Sequence, residues 1–339
     1  MTQAYFYHYR LGMQKLIATL GKDHPRIHEV RVLQHRLTEN IAQTLEHGST
    51  PALDDSRERI LDSCERLSRL LTGAPFYEFC GLPGMADLSP AARDTARLLA
   101  AYFTRMNDLL VYQGLRTANA VSEVRGIARE QTLAILHSLG DDGTAKGQVL
   151  QFLYEAGLIT EGPAVMFLSE ADLTGINLKG AFLVEAHLAG THLEHAHLEH
   201  AHLEWAHLGE ANLTAACLEK VFLVAAHLSR TNLSQADLQE AHMVSAKLAG
   251  ANLSEANLTR AHLEWSFMVT ANLMGASLVG AQLMGSELRG ANLAYTDLSG
   301  ANLQDTSLTW SRLRDATYDE ITQWPEGFDP VSSGAILKR

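Results

Sequence analysis

From Ala171 to Glu320 the chain can be cut into fives with no break in register, as ADLTG, INLKG, AFLVE, AHLAG and onward to ATYDE. The third place is Leu in 27 of the 30 pentads, with Met243, Met268 and Tyr318 as the exceptions. The first place is Ala in 21 of them, and most of the others carry Ser or Thr. A period of five suits neither ordinary element. On an α-helix each step of five rotates the side chain by roughly 140°, which scatters the leucines around the axis. On a flat strand the side-chain period is about two, so an odd step sends successive leucines to opposite faces. The pattern is satisfied if every pentad repeats one geometry and turns a corner, coiling the chain around an axis lined by Leu. The small first-place residues then let the turns close inside. The expected element over residues 166–320 is a solenoid.

The outward second place sets the number of sides. Asn212, Asn232, Asn252, Asn272 and Asn292 recur every 20 residues, which implies four pentads per coil with like residues stacked. Stacked coils would be spaced roughly 4.8 Å apart, like neighbouring strands, and Asn ladders suit such stacking. Tandem A(D/N)LxG units of this kind resemble the pentapeptide-repeat family. That resemblance implies a right-handed four-sided parallel β-helix, with the Leu and the residue two before it pointing inward.

Ahead of the solenoid the periodicity becomes helical, so the expected class is an α+β multidomain chain. Residues 1–83 predict three helices, with Asp23-His24-Pro25 as a stop-and-start signal and HGSTPALDD as a loop. The stretch from GKDHPRIHEVRVLQHRL to ERILDSCERLSRLLTGAPFYEFC resembles the small effector-associated helical modules that precede unrelated domains in multidomain bacterial proteins. This resemblance implies a docking role. Residues 84–165 predict a helical linker and cap: a stripe of Leu98, Leu99, Tyr102, Met106, Leu109 and Leu110, a helix over 122–139, a turn at GDDGTAKG, and a buried helix ending near Gly157. From YFTRMNDLLVYQGLR to QVLQFLYEAGLI the sequence resembles the segment that precedes the repeats in many bacterial pentapeptide-repeat proteins. Residues 321–339 carry Trp324, Phe328 and two prolines, suited to plugging the last coil. An open β-helix needs both caps, because its end coils offer unpaired backbone groups.

Charge narrows the classes of function. The 339-residue chain has a formal net charge of −12, carried mostly by the repeats. That disfavours direct binding of a nucleic-acid backbone, which demands clustered Lys and Arg. Three widely spaced cysteines, Cys64, Cys80 and Cys217, imply no disulfide framework. No signal peptide and no apolar run of about 18 residues is evident, so a cytoplasmic protein without membrane contact is expected. No nucleophile–base order and no phosphate-cradling glycine loop can be argued, and outward carboxylates on a convex surface make no pocket. The chain is therefore expected to be no enzyme and to need no cofactor.

Two features of the outward places remain. HLEHAHLEHAHLEWAHL at 192–208 mixes histidines and glutamates, sensible ligands for zinc or nickel. On a four-sided coil these side chains point outward on successive faces, so only the column His187, His207 and His227 is a candidate for weak metal binding. The second feature is a column of Phe182, His202, Phe222, His242 and His262, bordered by Val184, Val224, Val244, Trp205 and Trp265. Such a surface is either a protein-contact face or one covered by the chain's own helices. Phe267, Val269, Met274, Val279 and Met284 form a weaker apolar belt, suited to a homo-oligomer contact. The first expectation for function is a scaffold or adaptor that binds proteins through its helices and the solenoid surface. The alternatives are DNA mimicry toward a type II topoisomerase, as some pentapeptide-repeat proteins perform, and metal binding by the His-rich repeats.

Overall fold

The computed structural model describes residues 13, 16–17, 20, 26, 30–34, 63–64, 90–119, 122–160 and 165–338. The chain divides into two compact units, Met1–Gln131 and Thr132–Arg339. This division falls inside the segment 84–165. Most of the helices expected before residue 84 lie outside the described residues. Met13, Leu16, Val30 and Cys64, which are described, are helical and buried, and burial pushes the Cys64 thiol up to about 12. Helix α1 (Pro90–Val111) starts on a proline, whose missing N–H costs nothing in a first turn. It buries Leu99, Tyr102, Phe103, Met106 and Leu109. Leu98, grouped with that stripe by spacing, is exposed, and Phe103 takes the inward position. Helix α2 spans Glu123–Ser138.

Helix α3 (Gly143–Glu155) belongs to the second unit. The sequence predicts a turn over GDDGTAKG, but the helix already begins within it. Asp142 caps the N-terminus by accepting a hydrogen bond from the Ala145 N–H at 2.9 Å, so residues 143–147, read as part of a turn, are helical. At the other end Gly157 takes φ +66°. Its N–H bonds the Tyr154 carbonyl and that of Leu158 the Leu153 carbonyl, the pattern that closes helices ending in glycine.

The repeats form coils of four pentads. Parallel bridges link each second place to the residue 20 further on, from Asp172↔His192 to Asp297↔Thr317. Each third-place N–H donates to the second-place carbonyl of the next coil (Leu173 to His192, 2.8 Å), and each second-place N–H to a first-place carbonyl of the previous one (His192 to Ala171, 3.0 Å). Between sides the first-place N–H returns to the preceding third-place carbonyl, as from Ile176 to Leu173 at 3.0 Å. This closes a β-turn whose fifth-place residue has positive φ, the requirement of type II geometry. Turning takes up the fourth and fifth places. Each side therefore contributes one bridged residue, not the extended strand that a β-helix suggests. Among the described residues the named strands are β1 (Thr317–Tyr318) and β2 (Ile336–Leu337), paired in parallel.

Leucine at the third place and Ala at the first are buried along the axis. Burying one leucine is worth about 1.5–3 kcal/mol, against roughly 1–2 kcal/mol for holding a non-glycine residue left-handed. The inward leucine outweighs the corner, which is how His195, Trp205, Lys220 and Trp265 keep positive φ at fifth places. First-place threonines bond their hydroxyls to carbonyls, as Thr191 does with Leu188 and Thr231 with Leu208. The buried hydroxyls of Ser266 and Ser286 have no hydrogen-bond partner among the described residues.

The first coil has no coil before it, and α3 with its following loop supplies the missing partners. The Asn177 N–H donates to the Gly143 carbonyl and that of His187 to the Ile159 carbonyl. Lys146, buried, donates through Nζ to the Thr174 carbonyl and pairs with Asp172, both at 3.2 Å. The Tyr154 hydroxyl donates to the Val184 carbonyl at 3.2 Å. A Cβ on Gly147 would stand 2.4 Å from the Asn177 carbonyl oxygen, so glycine permits this approach. At the far end the step becomes 21 at Asn302↔Gln323. There Trp324 meets Tyr318 edge-on and stacks on Phe328, with ring centroids 5.4 and 5.2 Å apart. Pairing of β2 with β1 closes the last coil.

Gly147→Ala is expected to destabilise the second unit by about 1–3 kcal/mol, the usual range for overpacking. Ser266→Ala should stabilise it by about 1 kcal/mol, because a buried unsatisfied hydroxyl is removed. Chemical denaturation of both variants checks the two signs together.

Candidate functional site

Because every coil repeats the same geometry, identical places form columns. On the Asn side, Nδ2 of Asn232, Asn252, Asn272 and Asn292 each donates at 3.0 Å to the Oδ1 of the Asn one coil before. The side two pentads on carries the rings. Phe182, His202, Phe222, His242 and His262 stack continuously, with centroids 4.5, 4.5, 4.8 and 5.1 Å apart and interplanar angles of 2–5°. Such distances lie within the favourable range for aromatic pairs. Phe182 is 62% exposed, and Trp205 and Trp265, at corners of the same side, are 55% and 56% exposed. Val224 and Val244 are half-buried in the fourth place beside them. The structure thus brings together every residue of the contact face expected from the sequence.

Two details were not legible in the sequence. The Trp265 ring lies over Gly285 of the next coil, where a Cβ would stand 2.6 Å from two ring carbons. In HLEW, which occurs twice, the histidine holds the glutamate of its own pentad: His202 Nδ1 lies 3.1 Å from Glu204 Oε1 and His262 Nδ1 3.4 Å from Glu264 Oε1. The seven pentads of this side, from AFLVE at 181 to ANLQD at 301, contain no Lys or Arg, while Glu185, Glu204, Glu264 and Asp305 lie among them.

The metal candidates His187, His207 and His227 do share one column, on the next side. The His187 and His207 rings stack at 4.4 Å and the His227 ring lies 4.6 Å further on, tilted by 39°, and the column continues into Lys247, whose Nζ lies 3.0 Å from His227 Nε2. The other histidines of 192–208 spread over the remaining three sides. A donor cluster that the histidine pattern did not reveal lies on the second side, where atoms of His197, Glu199 and Cys217 all fall within 4.8 Å of one another. The apolar belt runs round a coil: Val269, Met274, Val279 and Met284 are the fourth places of four consecutive pentads, one on each side. A flat partner meets one or two of them at once.

The repeat sequence matches a known family. The family model for Pentapeptide repeats matches in eight copies, with overlapping segments from 168 to 317. HetL, a pentapeptide repeat protein involved in heterocyst differentiation regulation from the cyanobacterium Nostoc sp. PCC 7120, is 30% identical over 51% of this chain, with a TM-score of 0.25. This chain spans 65% of HetL. A second Nostoc pentapeptide repeat protein, alr5209, is 33% identical over 33% of this chain and 84% of its own, with a TM-score of 0.21. Rfr23, from the cyanobacterium Cyanothece 51142, is 37% identical over 29% of this chain and 63% of its own, with a TM-score of 0.20. No curated protein matches. On the repeat sequence, the chain belongs to the pentapeptide-repeat family, whose coils are right-handed and four-sided. Among the described residues no helix is long and apolar enough to cross a membrane.

The histidine columns make the solenoid sensitive to acid. Partial burial first, and then neighbouring charge, holds His187, His227 and His242 below the usual imidazole range; the neighbours are His207, Lys247 with His207, and His262. A depressed folded pKa means that the stabilisation is complete above about pH 6.5 and is lost as pH falls through the lowered values. The denaturation midpoint should fall between about pH 7 and pH 5, and His227→Gln should flatten that slope.

Proposed function

We propose that this protein is a non-enzymatic scaffold whose aromatic side binds a protein segment. The observation that carries the reading is the unbroken five-ring stack, flanked by two exposed indoles on a side free of Lys and Arg. Exposed apolar surface bordered by polar groups marks contact surfaces, and Trp is enriched among the residues that dominate binding energy. The partner's chemistry follows by complementarity: apolar side chains to meet the ring edges and indoles, with Lys or Arg to meet Glu185, Glu204, Glu264 and Asp305. Mechanism here means rigidity. The coils hold the rings in place before binding, so little ordering cost falls on the scaffold when a partner docks. The helical residues before 132 would recruit a second protein, which makes the chain an adaptor.

The acidity of the repeats favours the second reading, mimicry of DNA toward a type II topoisomerase. Residues 166–320 hold eighteen Asp and Glu against eight Lys and Arg, a net charge of −10. Histidines, valines and aromatic rings interrupt these carboxylates, so the contact-face reading is preferred. Affinity capture with the full chain should yield a partner that the double variant Phe182→Ser, Phe222→Ser binds at least about 30-fold more weakly, the loss of roughly 2 kcal/mol that marks a hot spot. Equal binding by the variant would sink the assignment of this side. Gyrase supercoiling should be unaffected at micromolar protein; inhibition or protection would favour mimicry.

A further inference from the structure

The second side of the solenoid carries a cluster of mixed donors that the contact-face reading does not use. His197 and Glu199 are the second and fourth places of one pentad, AHLEH, and Cys217 is the second place directly one coil on, bridged to His197. One ligand atom from each lies within 4.8 Å of the others. His197 Nδ1 and Glu199 Oε2 are buried atoms without a hydrogen-bond partner among the described residues. The nearest approach of His197 Nδ1 to the carboxylate, 3.6 Å to Oε1, is beyond hydrogen-bond length. Buried donors and acceptors left unmade are costly; an unpartnered carboxylate oxygen recurs at Glu204 and Glu264, but among the described residues it is at Glu199 that an unpartnered imidazole nitrogen and a free thiol lie beside it. We propose that His197, Glu199 and Cys217 bind a divalent transition-metal ion, of which Zn²⁺ best matches the donors.

The donor set selects the ion. A thiolate, an imidazole and a carboxylate are all zinc ligands, at about 2.3, 2.0–2.1 and 2.0–2.2 Å, whereas magnesium and calcium take oxygen. Tetrahedral bonds of those lengths place donor atoms about 3.3–3.6 Å apart. The side chains must therefore draw together by about an ångström, a rotamer adjustment on a partly exposed surface. On binding, the Cys217 S–H proton leaves to solvent and a metal–sulfur bond forms. Water completes the coordination.

Position in the coil explains why this occurs once. The pairs His192/Glu194, His202/Glu204 and His262/Glu264 repeat the same His-x-Glu arrangement, but one coil on they meet Asn212, Phe222 and Gln282. Only His197 has a cysteine above it. Lys179 is the natural competitor: its Nζ lies 3.0 Å from Glu199 Oε1 and supplies a positive charge where the ion would sit. The residue acts on affinity through Glu199, without being a ligand.

The test uses untagged full-length protein, stripped by chelator and titrated with Co²⁺ alone as a spectroscopic stand-in for Zn²⁺. One ion per chain should bind, with a thiolate-to-cobalt charge-transfer band in the near ultraviolet. Cys217→Ser should abolish that band, His197→Gln should weaken binding at least tenfold, and Lys179→Gln should tighten it several-fold. His207→Gln, in the neighbouring column, should change nothing. Circular dichroism of each variant confirms that the coils persist. A band that survives in Cys217→Ser would assign the thiolate to Cys64 or Cys80 and overturn the proposal, as would a titration without a band or an unchanged affinity in His197→Gln.

Discussion

Backbone hydrogen bonds between successive coils are the constraint on which everything else in the second unit rests. Each coil reads its register from the one before, through the third-place N–H that meets a second-place carbonyl 19 residues on, as Leu173 meets His192. The inward leucine makes that register worth keeping, and the left-handed corner residue makes it repeatable. Stacked columns follow without further cause. An amide ladder forms where the second place is Asn, a ring stack where it is Phe or His, and an imidazole–ammonium contact where His227 meets Lys247.

The same constraint creates the problem that α3 solves. A first coil has carbonyls and N–H groups facing nothing, and an exposed edge of that kind templates association with other chains. Gly143 and Gly147, one helical turn apart, bring the helix close enough for its buried Lys146 and for Tyr154 to bond carbonyls of Thr174 and Val184. Charge contributes as well. Burial alone would raise the Asp172 carboxyl, yet hydrogen bonds from Thr174 and the Lys146 ammonium hold it below the usual range. The interaction lives at the junction of helix and coil, where a repeat sequence is silent.

Much of this was legible from spacing alone. A period of five with leucine at its centre excludes helix and flat strand, and the 20-residue return of Asn212 through Asn292 sets four sides. The aromatic face then follows by counting. What spacing does not carry is any contact between different places of neighbouring pentads or coils. The approach of Cys217 to Glu199 joins a second place to a fourth place one coil before, and the lean of the Trp265 indole over Gly285, within one column, depends on side-chain direction that spacing does not give. Local chemistry misled in one case. GDDGTAKG reads as a turn by composition, but Asp142 converts it into a helix start.

The corner geometry has a last consequence, for how such a chain can change its length. Inserting or deleting one pentad leaves the local turn intact but rotates every later column by a quarter turn, so that the rings would sit over the column of His207, His227 and Lys247 or over that of His197, Cys217 and Asp237. Loss or gain of twenty residues leaves each side as it was, longer or shorter by one storey. Viable length variants of the repeat tract are therefore expected to differ by whole coils.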